Sequence, residues 1–275
     1  MIRKIFHISD LHLPNDEKKR PYMDMIKQGL ADLLREIKKY ERDEIRIVVA
    51  GDIFHNKIKT TNEARVMFHK TMNYLNSMAR TIIIAGNHDM LENNHDRIDS
   101  ITPSFEIEDC FSDTTYADKT LNYKSGCIVD ENIVWVLYSI FDKYTKPNID
   151  DIREDYPDKT IVGLYHGDIV GAVTDTGRIT EKGIDTSVFS DCDFVIAGHI
   201  HKFQCIKKEG VPIVYSGSMF QQNVGENTTM HGFVIWDVET HSFKHIEVKN
   251  DYKMYKFKIS SYEDVSNDTE HLLNL

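Results

Sequence analysis

Five short polar motifs in the 275-residue sequence carry side chains that could do metal chemistry. They are DLH at 10–12, GDIFH at 51–55, GNHD at 86–89, HGD at 166–168 and GHIH at 198–201. Their Asp, His and Asn side chains are hard or borderline donors without cysteine, so they suit Mn²⁺, Fe or Zn²⁺ better than thiolate-preferring metals. Two ions that share a bridging carboxylate, with about three further ligands each, would use such a set for hydrolysis.

Each motif follows an apolar run that predicts a β-strand. The runs lie at 2–9, 45–50, 81–85, 160–165 and 194–197. In open α/β sheets the carboxyl ends of the strands open onto one crevice, so motifs that are distant in sequence can meet there. Glycines at 51, 86 and 198 allow the sharp turns that such strand-to-loop junctions need.

Two helices are expected between the first three strands. An apolar stripe predicts a helix over 23–40. A second helix is expected to begin with a capping box, in which Thr60 is the N-cap and Glu63 follows three residues later. From about Cys127 the pattern is strand-rich, with runs at 133–140, 211–215, 232–238 and 244–249 and hairpin-like spacing between the last two. We therefore expect an α/β fold, a two-sheet β-sandwich flanked by helices.

The composition excludes several classes of protein. A net charge of -11, from 44 acidic and 33 basic residues, argues against a simple basic nucleic-acid binder. No apolar run approaches the roughly 20 residues of a membrane span, and the N-terminus lacks a signal-like stretch. The four cysteines form no CxxC pair, which favours a reduced cytoplasmic setting. We expect one domain over 1–250 and a tail over 251–275, which could hold a strand at 255–259 and a short helix.

In this order the five motifs resemble those of the calcineurin-like metallophosphoesterase superfamily. Within it, GDIFH at 51–55, YSGS at 215–218 and the downstream Glu226 and His231-Gly232 make the chain similar to the SbcD and meiotic recombination eleven nucleases, including phage counterparts. The similarity covers about residues 1–250. Those nucleases continue into a capping domain and a helical segment, for which 251–275 is too short, so we expect a catalytic core that is either a fragment or a naturally short form.

The resemblance implies a centre of two divalent ions, most simply Mn²⁺, with Mg²⁺, Fe or Zn²⁺ as alternatives. Asp52 is implied to bridge them. One ion would be held by Asp10, His12, Asp52 and His201, and the second by Asp52, Asn87, His166 and His199.

Three further residues are given catalytic roles by the same resemblance. His88 would stabilise the transition state or protonate the leaving oxygen, and Asp89 would orient His88. His55 would contact the phosphate or gate its approach. Of the other histidines, His95 and His231 are candidates for walls of the site, and the rest are expected to be structural.

The substrate implied by the resemblance is DNA, cut as an exonuclease on duplex ends and an endonuclease on single strands, in double-strand-break repair or recombination with an SbcC-like ATPase. Cations in the loops could neutralise backbone phosphates, although any one of them is more often an ordinary solvated charge. They are Lys18, Lys19, Arg20, Lys57, Lys59 and Lys202.

Alternatives stay open at this point. The chain could be a small-molecule or cyclic-nucleotide phosphodiesterase or a phosphomonoesterase of the same superfamily. A non-catalytic interaction protein is disfavoured, because it would lack ligands and none is missing. A homodimer could form through the outer helices, with Met67, Met72 and Met78 as an adaptable contact, but packing of these methionines against the sheet is equally compatible with the sequence.

Overall fold

Two six-stranded β-sheets dominate the computed structural model, which describes residues 1–14, 20–91, 94, 97–105, 115–116, 124–142, 145–208 and 210–256. In chain order the strands of these described residues are β1 (Lys4–Ile8), β2 (Ile45–Ala50), β3 (Thr81–Ile84), β4 (Thr115–Tyr116), β5 (Gly126–Asp130), β6 (Ile133–Tyr138), β7 (Thr160–His166), β8 (Phe194–Gly198), β9 (Gln204–Lys208), β10 (Val211–Tyr215), β11 (Gly232–Asp237) and β12 (Ser242–Glu247).

The strand order places the motif-bearing strands at the centre of each sheet. The first sheet runs β12-β11-β1-β2-β3-β4, and the second runs β5-β6-β7-β8-β10-β9. β1, β2 and β3 are parallel to one another, as are β6, β7 and β8. Parallel neighbours end at the same edge of a sheet, so the loops after β1, β2 and β3 emerge side by side, and so do those after β7 and β8.

Helices cover the outer faces of both sheets. They are α1 (Arg20–Ile37), α2 (Asn62–Met78), α3 (Thr102–Phe105) and α4 (Ile149–Asp155), with 3₁₀ turns at Arg42–Glu44 and Thr186–Phe189. α1 and α2 share a core with β1, β2, β3 and β11, whereas α4 and the turn at Thr186–Phe189 share one with β6, β7 and β8.

A third apolar layer lies between the sheets. Because successive strand side chains point to opposite faces, Phe6 of β1 packs toward the helices while Ile5 packs toward the second sheet. Trp236 of β11 stacks on Phe194 of β8, with ring centroids 4.3 Å apart. Both rings are fully buried, so this contact fixes the two sheets against each other.

The predicted two-sheet α/β sandwich is confirmed, and so is the antiparallel hairpin of β11 and β12. The strands at 45–50 and 211–215 have the predicted bounds, and most others end within three residues of them. The first helix begins three residues before the predicted position 23, at Arg20, since a proline in the first turn is pre-organised for a helix. It ends at Ile37 rather than at 40.

The predicted capping box of the second helix is wrong by one residue. The N-cap is Thr61, whose side chain accepts a hydrogen bond of 3.2 Å from the Ala64 amide. Asn62 is therefore the first helical residue and Glu63 the second, so Glu63 does not occupy the third position that a capping box requires. Thr60 lies outside the helix.

The methionines of α2 pack inward. Met67 and Met72 are buried in the core between α2 and the first sheet, and Met78 packs against the same core. Of the two arrangements that the sequence leaves open for these methionines, packing against the sheet is the one observed for Met67 and Met72. Among the residues that the structure describes, no helix has both the length and the apolar character needed to cross a membrane.

Some expectations fall outside the described residues. The helix expected in the tail lies beyond Lys256, as does most of the strand at 255–259, and His95 and Cys110 are also outside. Elements that the sequence did not predict include β9 and α4. β9 is an edge strand with the sequence QCIKK, and its polar residues hide the alternation by which a strand is recognised.

His245 of β12 is a partly buried histidine that the fold keeps neutral. Its ring stacks on Phe203 with centroids 4.0 Å apart, and its Nε2 is buried without a hydrogen-bond partner among the described atoms. Burial lowers the pKa of His245 from 6.5 to about 4. As the pH falls through this window, the unfolded chain gains a proton at His245 that the folded chain does not, so folding loses stability.

We predict that His245→Phe makes the fold less sensitive to acid. The phenyl ring keeps the stacking on Phe203, removes an unsatisfied nitrogen and cannot titrate. The free energy of unfolding should equal or exceed that of the wild type at pH 7, and should fall less between pH 7 and pH 5. Urea denaturation with a chelator present measures both values, and equal losses in the two proteins would contradict the prediction.

Candidate metal centre

The five polar motifs converge where the carboxyl ends of strands from both sheets meet. Asp10 and His12 follow β1, Asp52 follows β2 and Asn87 follows β3. From the second sheet, His166 ends β7, and His199 and His201 follow β8. The structure thus brings all seven predicted ligands together, although they come from loops up to 191 positions apart in the sequence.

The Asp52 carboxylate lies between two groups of donors. Its Oδ2 is 3.6 Å from His12 Nε2, and its Oδ1 is 3.2 Å from His166 Nε2. The carboxylate is almost fully buried. One oxygen therefore faces each group, which is the geometry that a bridging ligand needs.

The first donor group consists of Asp10, His12 and His201. The Nε2 atoms of His12 and His201 are 3.1 Å apart, and each lies about 4 Å from Asp10 Oδ1, at 4.0 and 3.9 Å respectively. The second group consists of Asn87, His166 and His199. Asn87 Oδ1 lies 3.1 Å from His166 Nε2 and 2.9 Å from His199 Nδ1.

These separations fit two metal ions. Ligand atoms about 2.1 Å from one ion, at tetrahedral or octahedral angles, lie about 3.0–3.4 Å apart. The donor pairs measured above lie 2.9–4.0 Å apart. With Asp52 counted in both, each group has four candidate ligands, all nitrogen or oxygen, so the residues present fit a dinuclear centre.

The backbone is strained at these positions. Asp10, His12, Asp52 and His199 have φ values of 54°, 43°, 52° and 106°. Residues other than glycine rarely adopt this left-handed region, and each instance costs about 1–3 kcal/mol. Such strain concentrates at functional sites, where the surrounding fold holds side chains in place.

Two glycines make room for the donors. A Cβ on Gly86 would lie 2.2 Å from Asp52 Oδ1, and a Cβ on Gly198 would lie 2.0 Å from the Ala50 carbonyl oxygen. Because no side chain fits in either place, both residues are required by close approach to neighbouring atoms. Gly51, which has a φ of 85°, supplies the turn that leads into Asp52.

Neighbouring carboxylates and burial decide which histidines hold a proton. Burial acts to lower the pKa of His166, but the Asp52 carboxylate outweighs it and raises that pKa to about 9. At His201 burial is likewise outweighed, by the Glu226 carboxylate, and the pKa is about 9. Burial dominates at His12 and lowers its pKa to about 3. An ion that binds His166 and His201 must therefore displace their protons.

Glu226 supports the centre in a way the sequence did not reveal. Its Oε1 accepts a hydrogen bond of 2.8 Å from His201 Nδ1, which leaves Nε2 facing the donor group. Its Oε2 accepts a 2.7 Å bond from the Gln222 backbone amide, and the Glu226 side chain is 1% exposed. In the sequence, Glu226 stood out only through a family resemblance. Its contact with His201 could not be predicted, because 25 residues separate the two. Asp168 of the HGD motif, to which the sequence assigned no role, lies 3.7 Å from His199 Nε2.

Asp89 does not orient His88 as expected. Its carboxylate accepts hydrogen bonds from the backbone amides of Ile53, Phe54 and Gly86 at 3.0, 3.0 and 2.8 Å. Asp89 thus ties the loop after β2 to the loop after β3. The His88 ring is held instead by the His55 carbonyl oxygen, which accepts a 2.8 Å bond from Nδ1.

His55 and His88 lie beside the donors. The ring centroids of His88 and His55 are 4.9 and 5.7 Å from that of His12. His231, the other wall candidate among the described residues, is buried; its Nε2 donates a 2.6 Å bond to the Asn227 carbonyl oxygen, and its Nδ1 lies 3.1 Å from Ser218 Oγ. These bonds hold the His231 ring in place, and His231 lines the same cavity as His201.

The predicted loop cations are only partly described. Lys18 and Lys19 lie outside the described residues, as does the side chain of Arg20. Lys57 and Lys59 lie in the loop between β2 and α2, close in sequence to His55. Lys202 follows His201, and both residues line one cavity.

Comparison with known proteins identifies a family and relatives of this chain. Residues 3–203 match the calcineurin-like phosphoesterase family. Uncharacterized protein R555 of Acanthamoeba polyphaga mimivirus is 34% identical over 266 residues, which cover 94% of this chain and 19% of that protein. The SbcD component of the SbcCD nuclease of Bacillus subtilis (strain 168) is 25% identical over 259 residues, which cover 81% of this chain and 63% of that protein. The chain therefore spans about a fifth of the first relative and less than two thirds of the second.

Solved structures with a similar course of the chain include an archaeal phosphodiesterase and a plant enzyme. The archaeal phosphodiesterase is 14% identical with a TM-score of 0.43, covering 88% of this chain and 98% of its own. Purple acid phosphatase PPD1 from yellow lupin (Lupinus luteus) seeds is 10% identical with a TM-score of 0.48, and the match covers 89% of this chain and 53% of the lupin protein. At these values neither carries an argument about substrate.

We predict that Glu226→Ala weakens binding of Mn²⁺ by about 10- to 100-fold, because His201 loses the carboxylate that orients its ring. Glu226→Gln keeps an acceptor oxygen and should lose less. Isothermal titration calorimetry of the metal-free protein measures the affinity. Glu239→Ala, on an exposed turn, is the matched control, and an unchanged affinity in Glu226→Ala would refute the role given to Glu226.

Proposed function

The chain belongs to the calcineurin-like phosphoesterase family, and from that premise we propose that it is a metal-dependent DNA nuclease. Membership makes it a hydrolase of phosphoester bonds. The observation that carries the proposal is the pair of donor groups that share Asp52, with His88 next to them. We propose that the seven donors hold two divalent ions, with Mn²⁺ as the first choice on the family resemblance, since oxygen and imidazole donors also suit Fe and Zn²⁺.

The proposed reaction is hydrolysis of a phosphodiester without a covalent enzyme intermediate. When bound, the ions supply a nucleophilic water and neutralise charge on the phosphate oxygens. Asp52 fixes the spacing of the two donor groups, and Glu226 keeps His201 Nε2 turned toward its group. The donor side chains on these loops are thereby held in place to bind one phosphate.

His88 is proposed to act on the leaving oxygen. A carbonyl oxygen only accepts hydrogen bonds, so the bond to the His55 carbonyl places a hydrogen on His88 Nδ1. Nε2 is then the atom that can hold a second proton and donate it to the departing sugar oxygen. The His88 amide also donates a 2.7 Å bond to Asp52 Oδ1, which ties this residue to the centre.

DNA is proposed as the substrate on two grounds. The Bacillus subtilis relative is part of a nuclease, and the GDIFH and YSGS segments of this chain resemble those of that branch, as described above. As a group, the loop lysines and the ions would give local positive charge in a protein whose net charge is -11. We propose exonuclease activity on duplex ends and endonuclease activity on single strands, in repair or recombination, with an SbcC-like ATPase as partner.

We predict that replacing His88 by alanine abolishes turnover while leaving metal binding intact, because His88 belongs to the proposed proton transfer and not to the seven donors. Activity is measured with Mn²⁺ on linear duplex DNA, single-stranded circular DNA, a small phosphodiester and a phosphomonoester. Metal content is measured in parallel.

The control for this experiment is Asp52→Ala, which should lose both metal and activity because it removes the shared carboxylate. Full nuclease activity in His88→Ala would refute the role of His88. Wild-type activity on the monoester alone, or on the small diester alone, would replace the nuclease by a phosphatase or a small-molecule phosphodiesterase.

We predict that Lys57, Lys59 and Lys202 contribute to the salt dependence of DNA binding. If each neutralises one phosphate, their joint replacement by alanine should lower the slope of log affinity against log salt by about 2. Titrations of labelled single-stranded DNA between low and high salt give this slope. Lys159→Ala, at the opposite end of β7, is the control, and a slope equal to that of the wild type in the triple variant would contradict the prediction.

A further inference from the structure

A side cavity of about 180 Å³ opens next to the candidate metal centre. We define it by Asp175, Lys202, Phe203, Asn227 and Thr229, and it is also lined by His201 and Glu226. His201 belongs both to the first donor group and to the wall of the cavity, so the cavity borders the candidate metal centre. Pockets for whole drug-sized ligands measure about 300–1,000 Å³, so this one suits a single ring system.

The walls favour a neutral ring over a second phosphate. Asp175 shares the lining with Lys202, and Glu226 is bonded to His201, so the walls carry no surplus of positive charge that would hold a second phosphate. Phe203 supplies an aromatic surface. Asn227 and Thr229 are exposed at the rim, where their amide and hydroxyl groups can donate and accept hydrogen bonds.

The walls are held in place without a ligand. Phe203 is stacked on His245, with ring planes 23° apart, and packs edge-on to Phe243. The Gln204 side chain makes two 2.8 Å bonds to the backbone of Val173, accepting from its amide and donating to its carbonyl, which anchors the loop that carries Asp175. A binding surface that is already ordered loses less conformational entropy when a ligand arrives.

We propose that the side cavity binds the base of a nucleotide that adjoins the scissile phosphate. Stacking on an aromatic ring accepts any base, while the polar rim and Asp175 can pair with the N–H groups at its edge. The proposal rests on the proposed nuclease function. It adds that the enzyme reads a base next to the cleaved bond as well as the phosphate.

The test uses wild-type protein with Mn²⁺ and single-stranded oligonucleotides that have one cleavable phosphodiester. An abasic residue is placed on the 5′ side of this bond, on the 3′ side, or on neither. We expect an abasic residue on one side to lower kcat/KM by roughly five-fold or more, the scale of base stacking, and on the other side to have less effect. Equal values for the three substrates would overturn the proposal.

Two variants identify the cavity as the cause. Phe203→Leu keeps an apolar side chain in the core but removes the aromatic surface, and it should abolish the abasic penalty. Phe243→Leu, which packs against the same core without lining the cavity, should retain the penalty. Thr229→Trp fills the cavity from an exposed position that needs no repacking, and it should also abolish the penalty. A penalty that persists in both Phe203→Leu and Thr229→Trp would overturn the assignment.

Failure of the nuclease proposal gives a different result. If the wild type cleaves no oligonucleotide but hydrolyses small diesters, thymidine 5′-(4-nitrophenyl phosphate) is compared with methyl 4-nitrophenyl phosphate. A preference for the thymidine ester that Phe203→Leu removes would support the base site although DNA is not the substrate. The absence of that preference would overturn the base site as well.

Discussion

The position of one carboxylate depends on how two β-sheets pack against each other. Asp52 comes from the first sheet, while His166 on its Oδ1 side comes from the second. The distance between them is therefore set by the apolar layer that contains the stacked Trp236 and Phe194 rings. A site assembled across such a layer inherits the stiffness of a close-packed core, in which small changes of volume are felt. Strained φ values at Asp52 and His199 persist because that core holds the loops.

Neighbouring acidic residues have different roles because their electrostatic surroundings and hydrogen-bond partners differ. Asp10 and Asp52 face the histidines of the donor groups, whereas Asp89 is fully buried and faces backbone amides. Burial and the nearby Asp52 charge raise the pKa of Asp89 to about 7. Carboxylates that lie close together in the fold thus differ in role because their surroundings differ. Asp52 is a candidate ligand, whereas Asp89 connects two loops.

Much of this arrangement could be predicted from the sequence, because it follows from local periodicity. Apolar runs locate the strands, parallel strands end at one edge, and the residues just beyond those ends must meet there. The exact loop contacts could not be predicted: the support of His201 by Glu226 spans 25 residues, and the bonding of Asp89 to Ile53 spans 36. The polar edge strand β9 could not be predicted either, because its pairing with β10 gives it a structure that its own residues do not favour.

The groups that orient the site differ in whether a single substitution can remove them. His166 Nδ1 donates to the Ala50 carbonyl, and His88 Nδ1 donates to the His55 carbonyl. These partners are main-chain atoms, which every amino acid supplies, so single substitutions at Ala50 or His55 do not delete them. Glu226 is the contrasting case, because its support of His201 is encoded by one codon. Genetic robustness in this centre is thus uneven, and it is lowest on the side of His201.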